Sequence, residues 1–392
     1  MAASGPIVII GAGMAAYSLA REFRKLDKST ALTIVTGDEG AAYAKPMLSN
    51  ALALGKGAQQ LVSSNAGQMA AQLDATVLTR TQVRAIDSAA HTIATDGGSI
   101  AYGKLVLALG AQPIRLALGG DAAAEVLSVN HIDDYALLRE RLARVPGQAR
   151  VAILGAGLIG CEFADDLVAA GHAVTLIDPN PRPLAALAAP SLSDGLAQAW
   201  QAHPVTLKLG TTASAVHRAG GALLVTLADG SAVTADIVLS AVGLRPALAL
   251  AQAAQLATRR GIVIDAYGQT SAADVYALGD CAEYSTADGG AVLPYVAPML
   301  TAARAIAATL AGTPVPIELK TDAVIVKTPS YKLALAPPAA GSSGAWVDKS
   351  DGQRVIARFV DADGVVCGFG LSHHTPALRQ ALLAELGRPR PA

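Results

Sequence analysis

The chain is poor in the residues on which several classes of function depend. It has three cysteines in 392 residues, Cys161, Cys281 and Cys367, far apart in sequence, with no C-x-x-C pair and no metal-type spacing. A disulfide framework or a zinc site therefore has no material, no metal is expected, and a reducing compartment fits. Net charge is close to nil: 30 basic and 31 acidic side chains give −1, and no basic stripe stands out. Nucleic acid is not expected as a partner. No apolar run is long and uniform enough to span a bilayer. The apolar stretch near the N-terminus lacks the basic leader of a signal peptide. A cytoplasmic protein with no membrane span is the expectation.

What the chain does have is apolar material, 52% of its residues, and a length that suits two or three domains. Two stretches organise it. Ile7 to Ile10 is a short β-branched run that reads as a buried parallel strand. Gly11-Ala12-Gly13-Met14-Ala15-Ala16 follows at once, and a helix opens at Tyr17. In such a turn the first glycine permits the sharp bend and the second lets a pyrophosphate lie against the backbone. The third small residue lets helix and strand pack closely. The helix start then offers free N–H groups and a positive dipole end to the anion. One such turn is a weak signal, since glycines also serve ordinary turns. Here Val151 to Leu154 is a second short apolar strand, followed by Gly155-Ala156-Gly157-Leu158-Ile159-Gly160. Two complete units imply two dinucleotides.

The remainder reads as support. A second strand, Ala31 to Val35, ends at Thr36-Gly37, with Asp38 and Glu39 just beyond. An acidic side chain is expected about 20 residues past the glycines to hold a ribose. In the first unit Thr36 occupies that strand end, which leaves the ribose contact open between these groups and a solvated acidic loop. In the second, Ala173 to Ile177 is the strand and Asp178 sits at its end. A carboxylate there accepts from a ribose 2′-OH and repels a 2′-phosphate, favouring NADH over NADPH. Arg182 is the competing signal for a 2′-phosphate, and a turn cap is the plain alternative for Asp178. In Tyr43-Ala44-Lys45-Pro46-Met47-Leu48-Ser49, Pro46 suits a first helical turn, and Lys45 by spacing alone reads as a surface lysine. Ala75 to Asp87 reads as a strand pair, and Lys104 to Leu109 as a buried strand closed by a Gly/Pro loop. Asp236 to Pro246, including Gly243, echoes that strand, so the two halves form an internal repeat. Strand signals at 323–326, 332–336, 355–360 and 365–371, with a last helix at 376–386, make a small α+β tail.

On these motifs the chain resembles the two-dinucleotide flavoprotein oxidoreductases, and within them the branch that reduces rubredoxin. The narrower signals are Lys45-Pro46-Met47-Leu48-Ser49, Gly160-Cys161-Glu162-Phe163 and Val326-Lys327-Thr328-Pro329; Tyr276-Ala277-Leu278-Gly279-Asp280 is shared more widely. The resemblance implies an α/β fold of two Rossmann-like dinucleotide-binding domains plus a small α+β C-terminal domain. FAD would occupy a domain split between 1–115 and 245–316, NADH an inserted domain 116–244, and residues 317–392 would cover the flavin site. Gly11, Ala12, Gly13 and Met14 would hold the FAD pyrophosphate, and Ala15 would also contribute to the cofactor site. Thr36 and Gly37 would lie near the adenosine ribose, Val83 would meet the adenine, and Asp280 would bind the ribityl chain. Val296 and Lys327 would line the isoalloxazine. Lys45 would sit near flavin N5 with Glu162 paired to it, and Lys327 near N1, where a cation favours the reduced anionic flavin. The alternative for these three is a structural ion-pair cluster. Gly155, Gly157, Leu158, Ile159, Gly160, Asp178 and Gly243 would serve NADH.

An absence narrows the function. Disulfide reductases of this superfamily carry a C-x-x-x-x-C pair after the first unit, and residues 45–64 contain no cysteine. Electrons are expected to leave the flavin directly, to rubredoxin, with alkane hydroxylation as the downstream process the resemblance suggests. The competing expectations are a ferredoxin reductase component of an oxygenase, whose members usually read Tyr-x-Arg-Pro at residues 43–46, and an NADH-sensing flavoprotein scaffold.

Overall fold

The computed structural model describes residues 5–286, 289–352 and 354–390. The chain gathers into two compact units. One comprises Met1–Ala44, Gln60–Gln112 and Leu244–Lys320; the other comprises Lys45–Gln59, Pro113–Gly243 and Thr321–Ala392.

The first unit is built on a five-stranded parallel sheet. Ile7–Ile10 lies at its centre, flanked by Leu32–Val35 and Lys104–Leu107, with Thr76–Leu78 and Val275–Ala277 at the edges. Every side chain of Ile7–Ile10 is buried, as expected for a central parallel strand covered on both faces. The helix Met14–Leu26 packs its buried face, Ala16, Tyr17, Leu19, Ala20 and Phe23, toward the core, and the Ala-rich helix Val296–Leu310 packs against it. The segment read as one strand pair behaves as two separate elements. Thr76–Leu78 extends the parallel sheet beside Leu32–Val35, whereas Val83–Asp87 begins an antiparallel sheet with Thr92–Thr95 and Gly98–Ala101.

The second unit repeats the plan. Arg150–Leu154 lies between Ala173–Asp178 and Ile237–Ser240, with Val205–Leu209 outside Ala173–Asp178, all parallel. The helix Leu158–Ala169 follows the glycine turn, and an antiparallel sheet, Ala213–Ala219, Ala222–Leu227 and Ala232–Ala235, adjoins. The helix Ile132–Arg144 is started by a capping box in which His131 accepts from Asp133 N–H and Asp134 accepts back from His131 N–H. The tail is a five-stranded antiparallel sheet in the order 324–326, 333–336, 366–372, 355–360, 345–350, with the helix Pro376–Leu383. Ala345–Ser350 went unread in the sequence because it is an edge strand with largely exposed side chains and little apolar alternation. Its charged Asp348 and Lys349 read as loop. Among the described residues no helix is long and apolar enough to cross a membrane.

Gly155 ties strand to helix under a real backbone constraint. Its φ is +103°, and a Cβ there would meet Ala241 O at 2.6 Å. Gly157 has φ −77°, and a Cβ would meet nothing within 4 Å among the described residues. Gly155→Ala is expected to destabilise the protein by about 1–3 kcal/mol and lower its thermal midpoint, measured by circular dichroism. Gly157→Ala is expected to melt with the wild type; a matching loss in both variants would refute this assignment of strain.

Candidate functional site

Each unit presents a helix start suited to an anion. In the first, Gly11 N–H donates to Val35 O at 2.8 Å and Gly13 is extended at φ −78°, ψ −173°. No side chain among the described residues caps the helix Met14–Leu26, and its first turn holds no acidic residue. A Cβ on Gly13 would meet nothing within 4 Å among the described residues. In the second unit Gly157 has φ −77°, ψ −167°, and the helix Leu158–Ala169 is likewise uncapped by any described side chain and without an acid in its first turn. Uncapped N–H groups, a positive dipole end and room where a side chain would intrude fit a pyrophosphate. Gly160 is different in kind: a Cβ there would run into Gly155 O. It serves close packing of helix on turn, the part Ala16 plays in the first unit at 0% exposure.

Other first-unit residues gather at the carboxyl ends of the same parallel strands, the edge where ligands of open α/β sheets bind. Thr36 ends the strand Leu32–Val35; its hydroxyl donates to Asp38 Oδ1 at 2.8 Å, and Gly40 N–H donates to the same oxygen at 2.8 Å. Asp38 thus braces its own loop. Thr81 N–H donates to Thr36 O at 2.8 Å, which brings the approach to Val83 beside Thr36, while the Gln82 side chain lies against Gly37. Asp280 sits in the short 3-10 turn Gly279–Cys281 beyond Val275–Ala277. That turn touches the glycine turn, since a Cβ on Gly279 would lie 2.9 Å from Ala15 Cβ. Gly279 N–H donates to the Tyr284 hydroxyl at 3.0 Å, a phenol whose pKa burial pushes up. Val296 is the first residue of its helix and is exposed.

In the second unit Asp178 is nearly buried, and both its oxygens are engaged. Oδ2 accepts from Ala156 N–H at 2.7 Å; Oδ1 accepts from Asn180 N–H and Asn180 Nδ2, each at 2.8 Å. Leu184 N–H donates to Ala156 O at 2.8 Å. The loop 178–184 therefore grips the Ala156 peptide from both sides and fixes the glycine turn. Arg182 Nε is 2.8 Å from Asp194 Oδ1, in an exposed ion pair. Gly243 adopts φ +108°, and its carbonyl accepts from Ile114 N–H at 3.1 Å.

The most polar feature of the second unit is one face of the helix Leu158–Ala169. Glu162, 1% exposed, accepts from Ser49 Oγ at 2.5 Å and from Lys327 N–H at 3.1 Å, and forms an ion pair with Lys327 Nζ. Lys327 Nζ also donates to Ser49 Oγ at 3.0 Å. Lys45 opens the short 3-10 helix Lys45–Ser49, whose last residue is this serine. One turn along, Asp165 accepts from Trp200 Nε1 at 2.7 Å, from Ser330 N–H at 3.0 Å and from Ser330 Oγ. Asp166 accepts from Leu52 and Ala53 N–H, each at 2.9 Å. Burial raises the Asp166 pKa, and the two N–H donors work against that rise.

Ser49, Asp165, Asp166, Trp200 and Ser330 carried no role in the sequence reading. The available signal was three acids at i, i+3 and i+4 of a helix otherwise made of Leu, Ile, Gly, Cys, Phe, Ala and Val. That spacing sets them on one face, and an acid in so apolar a helix needs a partner. The cysteines are placed differently. Cys161 and Cys281 are fully buried, with Sγ donating to Ala156 O and to Leu107 and Leu278 O. Burial raises both pKa values, that of Cys281 to about 11. Among the described residues no group of three or more His, Cys, Asp and Glu could hold a metal ion.

Comparison with known proteins gives the family. Residues 5–308 match the pyridine nucleotide-disulphide oxidoreductase family model, and residues 316–386 match the rubredoxin binding C-terminal domain. The chain is 42% identical over 97% of its length, and 98% of the relative's, to a rubredoxin-NAD(+) reductase of Alcanivorax borkumensis. It is 40% identical, over 97% of both chains, to a rubredoxin-NAD(+) reductase of Acinetobacter baylyi. The crystal structure of a covalent putidaredoxin reductase–putidaredoxin complex is similar at TM-score 0.88 and 25% identity, covering 97% of this chain and 93% of that one. The chain therefore belongs to the pyridine nucleotide-disulphide oxidoreductase family, in the group that carries a rubredoxin binding C-terminal domain.

Proposed function

We propose that the protein is an FAD-dependent NADH:rubredoxin oxidoreductase, working in the cytoplasm and feeding an oxygenase such as an alkane hydroxylase. The observation that carries the choice of acceptor is the match of residues 316–386 to the rubredoxin binding domain. FAD bound there would supply hydride acceptance from NADH and release of single electrons, which suits a one-electron iron carrier. In the proposed domain division, 1–115 with 245–316 holds FAD, 116–244 holds NADH and 317–392 receives the carrier.

The chain's own residues supply position and charge. Met14 and Ala15 N–H, at the uncapped start beside Gly13, would hold the FAD pyrophosphate, Thr36, Gly37 and Val83 would serve the adenosine, and Asp280 and Val296 the flavin end. Leu158 and Ile159, beside Gly157, hold the NADH pyrophosphate. Asp178 braces the Ala156 peptide and keeps a negative charge where a 2′-phosphate would come. Lys45, Glu162 and Lys327 set the electrostatics of the flavin site. Lys327 is held by a buried carboxylate rather than left to water, so its charge needs no rearrangement during reaction.

Mixing the anaerobic protein with NADH is expected to bleach its yellow flavin, and oxidised rubredoxin to restore the colour. A flavin indifferent to NADH would end the proposal. The specific observation for a second reading, a ferredoxin reductase, is the likeness to putidaredoxin reductase; faster reoxidation by a [2Fe–2S] carrier than by rubredoxin would select it. Lys45→Ala is expected to slow flavin reduction in stopped flow by about ten- to a hundredfold, and reduction at the wild-type rate would remove Lys45 from the chemistry.

Asp178→Ala removes the 2′-phosphate repulsion and the brace on Ala156 together. The ratio of kcat/KM for NADPH to that for NADH is expected to rise while KM for NADH also rises, and an unchanged ratio would shift the selectivity to other groups. A thiol relay is not available: titration of the native protein with a pyridyl disulfide is expected to find at most one reactive thiol, Cys367, and three after unfolding. Rubredoxin reduction is expected to survive that modification.

A further inference from the structure

Two chain segments far apart in sequence are fastened to one face of the helix Leu158–Ala169, each by its own carboxylate. The segment after Ser49 is held through the backbone, with Leu52 and Ala53 N–H on Asp166. The tail segment is held three residues past Lys327, where Ser330 gives both its N–H and its hydroxyl to Asp165. Glu162, one turn earlier on the same face, receives what each segment delivers: the Ser49 hydroxyl and the Lys327 ammonium. Asp165 is itself buried and is fixed from behind by the Trp200 indole N–H at 2.7 Å. The turn Thr328–Tyr331, which starts directly after Lys327 and contains Ser330, is closed by Tyr331 N–H on Thr328 O at 3.0 Å and by Thr328 Oγ1 on Tyr331 O at 2.8 Å.

We propose that Asp165 is the positioning residue for Lys327. Its carboxylate pins Ser330, the closed bend transmits that fixation, and the ammonium is delivered to Glu162 without freedom to swing to solvent. A lysine stem has several rotatable bonds, and fixing its backbone lowers the entropy lost when the head group pairs. Asp166 does the parallel work for the segment that carries Ser49: its hydrogen bonds go to Leu52 and Ala53 N–H, and it acts on Lys327 through space. The helix thus separates its tasks by residue: Glu162 takes the charge, Asp165 orders the tail and Asp166 orders the segment beyond Ser49. The effect on a bound flavin rests on the reading above that Lys327 serves it; the positioning itself does not.

The test is competitive lysine acetylation of the purified holoprotein with limiting acetic anhydride, read by peptide mass spectrometry. Lys25, whose side chain is 66% exposed, is the internal reference. Asp165→Ala is expected to raise the Lys327:Lys25 labelling ratio by about tenfold and Ser330→Ala by about threefold, the range a lost hydrogen bond or two provides. Asp166→Ala removes a neighbouring buried carboxylate that acts on Lys327 only through space and through the Ser49 segment, and is expected to raise the ratio less than Ser330→Ala does, by no more than about twofold. An equal rise in Asp166→Ala, or no rise in Ser330→Ala and Asp165→Ala, would overturn the proposal. Ser330→Ala keeps it testable where Asp165→Ala does not fold. The flavin midpoint potential, measured by dye equilibration, is expected to fall in the variants that free Lys327. Freed labelling with an unmoved potential would uphold the positioning and defeat the assignment of Lys327 to the flavin.

Discussion

A carboxylate taken out of water must be met by a cation and hydrogen bonds, or it costs several kcal/mol. In the second unit that demand falls on Glu162, which is 1% exposed, and it is met by Lys327 and Ser49. Much of the local structure follows. The tail has to come to the helix to supply the ammonium, and the segment beginning at Lys45 has to come to supply the hydroxyl. Asp165 and Asp166 hold the two incoming segments where they arrive. Such a cluster is weak evidence for stability, since a well-packed apolar substitute often does as well.

The same helix works at its other end. Its first turn follows Gly157 and carries neither a capping side chain among the described residues nor an acid, so its N–H groups remain available to a phosphate. The first unit solves the anion problem in the same way at Gly13 but differs elsewhere. It packs helix on turn with Ala16 where the second unit uses Gly160, and it ends its second strand with Thr36 where the second unit has Asp178. The consequence is local: Asp38 is spent on bracing its own loop, while Asp178 braces the glycine turn and keeps its charge beside it. Two copies of one plan have thereby become different sites.

Thiol chemistry is a frequent use of this fold family, and this chain lacks the placement for it. Cys161 and Cys281 lie close to the nucleotide turns in sequence, yet each is buried, donates its S–H to backbone carbonyls and has its pKa raised by burial. Buried thiols of this kind behave as small apolar fillers. In the proposed function control would fall instead to fixed charges, which need no covalent turnover and suit an electron carrier as acceptor.

The sequence by itself determined the two strand–glycine–helix units, their repeat, the α+β tail and the absence of a thiol pair. These depend on local spacing: β-branched runs, small residues where helix and strand must touch, and a break in periodicity at each turn. The family resemblance also named Glu162 and Lys327, but it paired Glu162 with Lys45, whereas the structure joins Glu162 to Lys327. Only the tertiary structure decided that Lys327 and Ser49 meet on Glu162, that Asp165 and Asp166 hold the flanking segments, and that Thr76–Leu78 and Val83–Asp87 belong to different sheets. Those outcomes join residues more than a hundred positions apart or depend on which neighbour an edge strand finds. Hydrogen-bond partners of that kind are set by packing and desolvation, and no periodicity records them.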